Sequence, residues 1–155
     1  MLNYRKATIA DAPVLAKMRF ELLREASSNR YEEHEREKWE KDCRDYFERA
    51  INEDSFVSWV AVDEGQIVAT GGASFFGVPP SVSCPSGKVA YLANMYTYPE
   101  YRGQGIGARF VGLVIEEARV RGCRKVILHA APNAVKLYER LGFVDDSLDM
   151  VYYIE

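Results

Sequence analysis

Hydrophobic positions along the chain change rhythm several times, and each change marks an element. Leu2–Ala7 has the short mixed pattern of a first strand. Asp11 then suits a helix N-cap with Pro13 just inside, and Val14, Leu15, Met18, Leu22 and Ala26 recur every three or four positions. Ser27, Ser28 and Asn29 end that helix. A second helix begins polar (Glu32–Lys38) and is then striped by Trp39, Cys43, Tyr46, Phe47, Ala50 and Ile51. Both stripes read as core. Phe56–Val62 and Gln66–Phe76 form a hairpin about Glu64-Gly65, and Gly71-Gly72 inside the return strand implies a bulge or a close neighbour. Val78–Lys88, with three prolines, is a loop long enough to suggest a role. Val89–Tyr98 is a strand. A third helix buries Ile106, Phe110, Leu113, Val114 and Ala118 and stops at Gly122. Val126–His129 follows as a strand parallel to its predecessor, since a helix joins them. Asn133–Arg140 is a short helix, and Phe143-Val144 with Met150–Ile154 supplies the last strands.

The candidate chemistry lies at one transition, Met95–Ala108. Pro99 ends the strand, because proline lacks an amide donor. Gly103, Gly105 and Gly107 then free the backbone to converge its amides, and the helix that follows adds its unpaired first-turn donors. Such a turn holds an anion, most often a phosphate or diphosphate. A P-loop is excluded because no Gly-Lys-Ser/Thr follows. Gly103, Gly105 and Ala108 satisfy a dinucleotide fingerprint, but Pro-Glu-Tyr-Arg separates them from the strand and no acidic residue closes the next one.

These residues resemble the signature of the GCN5-related N-acetyltransferase superfamily, Arg/Gln-x-x-Gly-x-Gly/Ala, read here as Arg102, Gly105 and Gly107. A second stretch, Asn133-Ala-Val-Lys-Leu-Tyr138-Glu-Arg-Leu-Gly-Phe143, is similar to the family's N-x-x-A-x-x-x-Y-x-x-x-G-F, with the alanine shifted to Ala134. The resemblance covers essentially the whole chain. It implies one α/β (α+β) domain over residues 1–155: a mixed, mostly antiparallel sheet with a central parallel pair splayed at the cofactor site, and helices on both faces. It implies acetyl-CoA as cofactor and transfer of acetyl to a primary amine of a small molecule or peptide. The alternative within the same fold is an acyl-CoA sensor without turnover.

By resemblance, Arg102, Gly103, Gln104, Gly105, Ile106, Gly107 and Ala108 hold the diphosphate, with Arg102 bracing the loop or screening charge. Met95, Tyr96 and Thr97 pair with the pantetheine amides, Asn133 hydrogen-bonds the same arm, and a backbone amide near Tyr96 meets developing negative charge. Asn133 could also cap its helix. Tyr138 matches the family's general-acid tyrosine, suited to a thiolate leaving group of pKa about 8.5. An amine like lysine, at ~10.4, is only about one part in a thousand neutral at pH 7, so a base is needed. Many family members place a glutamate on the strand before the turn; this chain has Asn94, which cannot take a proton but could orient the acceptor or a water. His129 and the run Glu32, Glu33, His34 remain open readings, and the base is unassigned. Residues 27–38 and 77–88 are expected to wall the acceptor site.

Composition narrows the partners. The 155 residues carry a net charge of −3 with no basic run, which argues against nucleic acid. No apolar segment approaches the ~20 residues of a membrane span, and the first residues lack a signal-peptide core. A cytoplasmic address is the expectation. Cys43, Cys84 and Cys123 are odd in number and far apart, so neither disulfides nor a metal site is suggested; Cys43 is expected in the core and Cys84 exposed. Pairing of last strands would permit a homodimer.

Overall fold

The computed structural model describes residues 1–27, 30–146 and 148–154. The sheet runs in sequence order, β1 (Asn3–Lys6), β2 (Phe56–Asp63), β3 (Gln66–Gly77), β4 (Lys88–Thr97) and β5 (Lys125–Ile127). Its first four strands are antiparallel neighbours and β4–β5 is parallel. Alternation along β2 sorts the core into two layers. Val57, Trp59 and Ala61 face α3 (Ile106–Val120), where Phe110, Val111 and Val114 are buried. Phe56 and Val60 face α1 (Ala12–Ala26) and α2 (Arg36–Asn52), against Leu15, Ala16, Phe47 and Ala50. Ser58 and Thr70, buried on that second face, satisfy each other at 2.9 Å. No helix among the described residues is long and apolar enough to cross a membrane.

Several local expectations change. Asp11 sits at the N-cap of α1, but its carboxylate turns back to accept from the Thr8 amide (2.7 Å) and from Arg5 (2.8 and 3.0 Å). The fixed charge of Arg5 makes that the stronger interaction, and it lowers the Asp11 pKa. The end of the first helix falls partly on Ser28 and Asn29, outside the described residues. Cys84 is buried, its thiol 3.5 Å from the Lys88 carbonyl, because the 78–87 loop folds back through Val78 N–H to Gly87. β5 stops at Ile127, short of His129. Residues 143–146 and 148–154 form no strand among the described residues; the parallel pair therefore lies at the sheet's edge. Asp145, Asp146 and Asp149 interrupt that stretch, and Leu148, Met150, Tyr152 and Ile154 point to solvent.

Candidate active site

After pairing through Val89–Tyr91, β4 and β5 part company, and Leu92–Thr97 has no paired strand on that side among the described residues. The splay opens beside the glycine turn. Gly103 (φ +75°) and Gly105 (φ +77°) occupy the left-handed region, which a side chain would strain. Gly107 is helical, yet a Cβ built there would meet nothing within 4 Å. The amides of residues 103–108 have no protein acceptor among the described residues; the nearest backbone bonds run from Arg102 N–H to Pro99 and from Arg109 N–H to Gly105. A cradle of six unclaimed donors at the head of a 15-residue helix fits an anionic diphosphate, and an open strand edge beside it fits an amide-bearing arm.

Arg102 is a brace. Its Nε donates to the Thr97 carbonyl (2.8 Å), and its Nη2 reaches both oxygens of Glu25 (3.1 and 2.8 Å). Glu25, at the last turn of α1, also accepts from the Tyr96 hydroxyl (2.9 Å). Burial and the carboxylate together push the Tyr96 pKa up to about 12. One acidic residue therefore ties the helix on one face to the strand and turn that form the cradle. Nothing in the spacing of the sequence singled out Glu25, which lies 77 positions from Arg102.

On β4 the register steps from Thr70↔Tyr96 to Gly72↔Ala93, so Gly71 opposes both Asn94 and Met95. Asn94 takes φ +59°, and this bulge turns two consecutive residues, Ala93 and Asn94, to the α1/α2 side. Met95 turns the other way, onto Phe110; at Gly71 a Cβ would sit 2.6 Å from the Met95 sulfur and 2.8 Å from Phe110 Cβ. The glycine is required by that close approach. Asn94 is 2% exposed, and neither its Oδ1 nor its Nδ2 has a partner among the described residues. It lines a cavity of about 280 Å³ whose walls include Trp39, Tyr46, Phe56 and Tyr91.

The segments 27–38 and 77–88, expected to wall the acceptor site, contribute no lining residue to this cavity. The α2 stripe that reads as core has a half-buried flank, and Arg19 of α1 completes the wall. Glu33 is occupied with Arg24 (2.9 Å) and Arg36 (2.6 Å), and His34 lies 3.1 Å from Glu32. Cys43 lines the cavity, its thiol pKa raised by burial. His129 is exposed, with Nδ1 3.1 Å from the hydroxyl of Tyr91, which faces the cavity. Tyr138, on α4 (Val135–Arg140), packs edge-to-face on Phe143 at 5.7 Å. Burial raises its pKa, and its hydroxyl has no bonded partner among the described residues. Asn133 is exposed in the turn before α4 and makes no capping bond, because Ala131 and Ala134 occupy the cap positions.

Similarity to known proteins agrees with this geometry. The chain is 29% identical, at a TM-score of 0.89, to a predicted acetyltransferase of Clostridium acetobutylicum solved with acetyl-CoA, over 99% of this chain and 96% of that one. It is 26% identical, at 0.88, to a GCN5-related N-acetyltransferase of Ralstonia eutropha, over 99% of each. Among curated proteins, it shares 36% identity over 67 residues with glucosamine 6-phosphate N-acetyltransferase 1 of Oryza sativa subsp. japonica (43% of this chain, 41% of that one). It shares 43% over 63 residues with thialysine N-epsilon-acetyltransferase of Sus scrofa (39% and 37%). The chain thus spans about half or less of the curated relatives it matches, from 37% to 54% among the first few. The sequence model of the Acetyltransferase (GNAT) family matches residues 19–143, taking in the cavity, the bulge, the glycine turn and Tyr138, and the chain belongs to that family.

Proposed function

We propose that this protein is an N-acetyltransferase that moves acetyl from acetyl-CoA to a primary amine of a small molecule or peptide, by direct attack in a ternary complex. The observation that carries the reading is the run of unclaimed amides from 103 to 108 beside an unpaired strand edge. Acetyl-CoA supplies the acetyl group activated as a thioester. The amides of Gly103, Gln104, Gly105, Ile106, Gly107 and Ala108 would donate to its diphosphate, and Arg102, held by Glu25, keeps that turn in shape. The edge of Met95, Tyr96 and Thr97, with the side-chain amide of Asn133, would hold the arm. A backbone N–H near Tyr96 would meet the negative charge that develops in the transition state.

Tyr138 Oη holds the proton for the departing sulfur. A tyrosine is already protonated at neutral pH, burial raises its pKa further, and no protein acceptor among the described residues competes for that proton. Asn94, buried and unpaired, would orient the amine. The net exchange replaces one N–H hydrogen by acetyl and returns that hydrogen to the sulfur. The named acceptors of the relatives, a sugar phosphate and an amino-acid analogue, differ enough that they do not choose one for this chain. The sensor reading draws its support from Asn94, which cannot accept a proton.

A free-thiol assay over polyamines, aminoglycosides, amino acids and peptides tests the proposal. Turnover of at least one amine is expected, lowered about 10²-fold or more in Tyr138→Phe. Acetyl-CoA that raises the melting temperature with no thiol released for any amine would favour the sensor, and no thermal shift at all would remove both readings.

A further inference from the structure

The acceptor cavity has an unbalanced chemistry that specifies what it takes. Its surface is mostly aromatic, from Trp39, Tyr46, Phe47, Phe56 and Tyr91. Two of its polar groups answer each other, Tyr46 Oη and Ser74 Oγ, at 2.9 Å. Asp42 sits at the rim, its side chain 54% exposed and 3.8 Å from Lys38. Two strongly polar groups of the wall remain without a hydrogen-bond partner among the described residues. One is the Asn94 carboxamide, buried with a free donor and a free acceptor. The other is Arg19, half-buried on α1, which makes no hydrogen bond or ion pair among the described residues. A guanidinium is a donor only, and its planar fork matches a carboxylate. A buried carboxamide left unpaired is costly until something offers it both an acceptor and a donor.

Resting on the acetyltransferase reading, we propose that the acceptor is an apolar α-amino acid. Its carboxylate pairs with Arg19 and with Asn94 Nδ2, its amine donates to Asn94 Oδ1 at the bulge where the open edge of β4 begins, and its side chain lies among the aromatic rings. An α-amino acid is distinguished by having amine and carboxylate one carbon apart, within reach of a single carboxamide. A phosphate would share the anionic chemistry, but an amino-sugar phosphate has no apolar body to place against five rings.

The test compares phenylalanine with phenethylamine, which differs by the carboxylate alone, and adds 6-aminohexanoate and glucosamine 6-phosphate as separate arms. Phenylalanine should exceed phenethylamine in kcat/KM by about tenfold or more, the worth of a charge-assisted bond. In Arg19→Gln the two should become nearly equal while KM for acetyl-CoA is unchanged, and Arg19→Lys should recover part of the difference. The variant should fold normally, because Arg19 has no partner to lose; equal melting temperatures check this. Equal turnover of the pair by the wild-type chain, preference for glucosamine 6-phosphate or 6-aminohexanoate, or a ratio that survives Arg19→Gln would each overturn the assignment while leaving acetyl transfer intact. If no amine is turned over, calorimetry with phenylalanine decides: binding lost in Arg19→Gln supports the site although the activity reading fails, and absence of binding overturns the site.

Discussion

Replacing Gly107 by alanine should make the free chain more stable and its complex with coenzyme A weaker. Gly107 is the second residue of α3, has no positive φ, and a Cβ there would meet no atom within 4 Å. Removing a helical glycine is therefore worth about 0.5–1 kcal/mol. For a chain of this length that raises the melting temperature by roughly 1–4 °C. The added methyl stands over the first-turn amides, and one lost charge-assisted hydrogen bond is worth ~1.5–3 kcal/mol, or about ten- to a hundredfold in Kd. Gly112→Ala is the control. It lies on the exposed side of the same helix, also with nothing within 4 Å, and should show the thermal gain with unchanged affinity. Gly103 and Gly105 cannot serve, since their positive φ would add strain of its own. Thermal denaturation without ligand and calorimetry with coenzyme A read the two effects separately. Wild-type affinity in Gly107→Ala would move the anion away from the helix head and refute the cradle.

Two further outcomes follow from packing and titration. Gly71→Ala places a methyl 2.6 Å from the Met95 sulfur and 2.8 Å from Phe110 Cβ, so overpacking should cost about 1–3 kcal/mol in urea unfolding; an unchanged midpoint would mean the bulge is soft. Tyr96 has a folded pKa of about 12 against an ordinary 10.0, so its contribution to stability is complete below pH 10 and is lost as pH rises toward 12. Two units correspond to about 3 kcal/mol, which Tyr96→Phe should remove from the alkaline limb of the stability curve; identical limbs would contradict the placement beside Glu25.

The features legible in the sequence are those written in contiguous residues. Glu64 and Gly65 both take positive φ at the hairpin, and the glycine turn opens α3 at Ile106. Other features depend on residues meeting from far apart. Glu25 becomes part of the cradle only because the end of α1 comes to Tyr96 and Arg102. Arg19 stands between Met18 and Phe20, where an arginine flanked by buried apolar residues is the one local sign that a helix stripe borders a cavity. Trp39 and Tyr46 read as core because periodicity reports which side of a helix is apolar, not whether a neighbour fills the space beyond it. The last strands are absent among the described residues for a related reason: alternation marks a segment that could pair, and Asp145, Asp146 and Asp149 interrupt this one beside the edge strand β5.

The single extra residue at Asn94–Met95 acts as a parity switch for β4. Before it, odd-numbered side chains such as Tyr91 and Ala93 look toward the cavity beside α2 and even-numbered ones, Ala90 and Leu92, toward α3; after it, Tyr96 looks toward α1 and Met95 toward Phe110. Deleting Asn94 would restore plain alternation, leave Tyr96 toward α1 and Met95 toward Phe110, and take the carboxamide out of the sheet. The extra residue therefore serves the space beside the sheet rather than the sheet itself, since β3 and β4 would pair without a break if it were absent, through Thr70↔Tyr96 and Gly72↔Ala93.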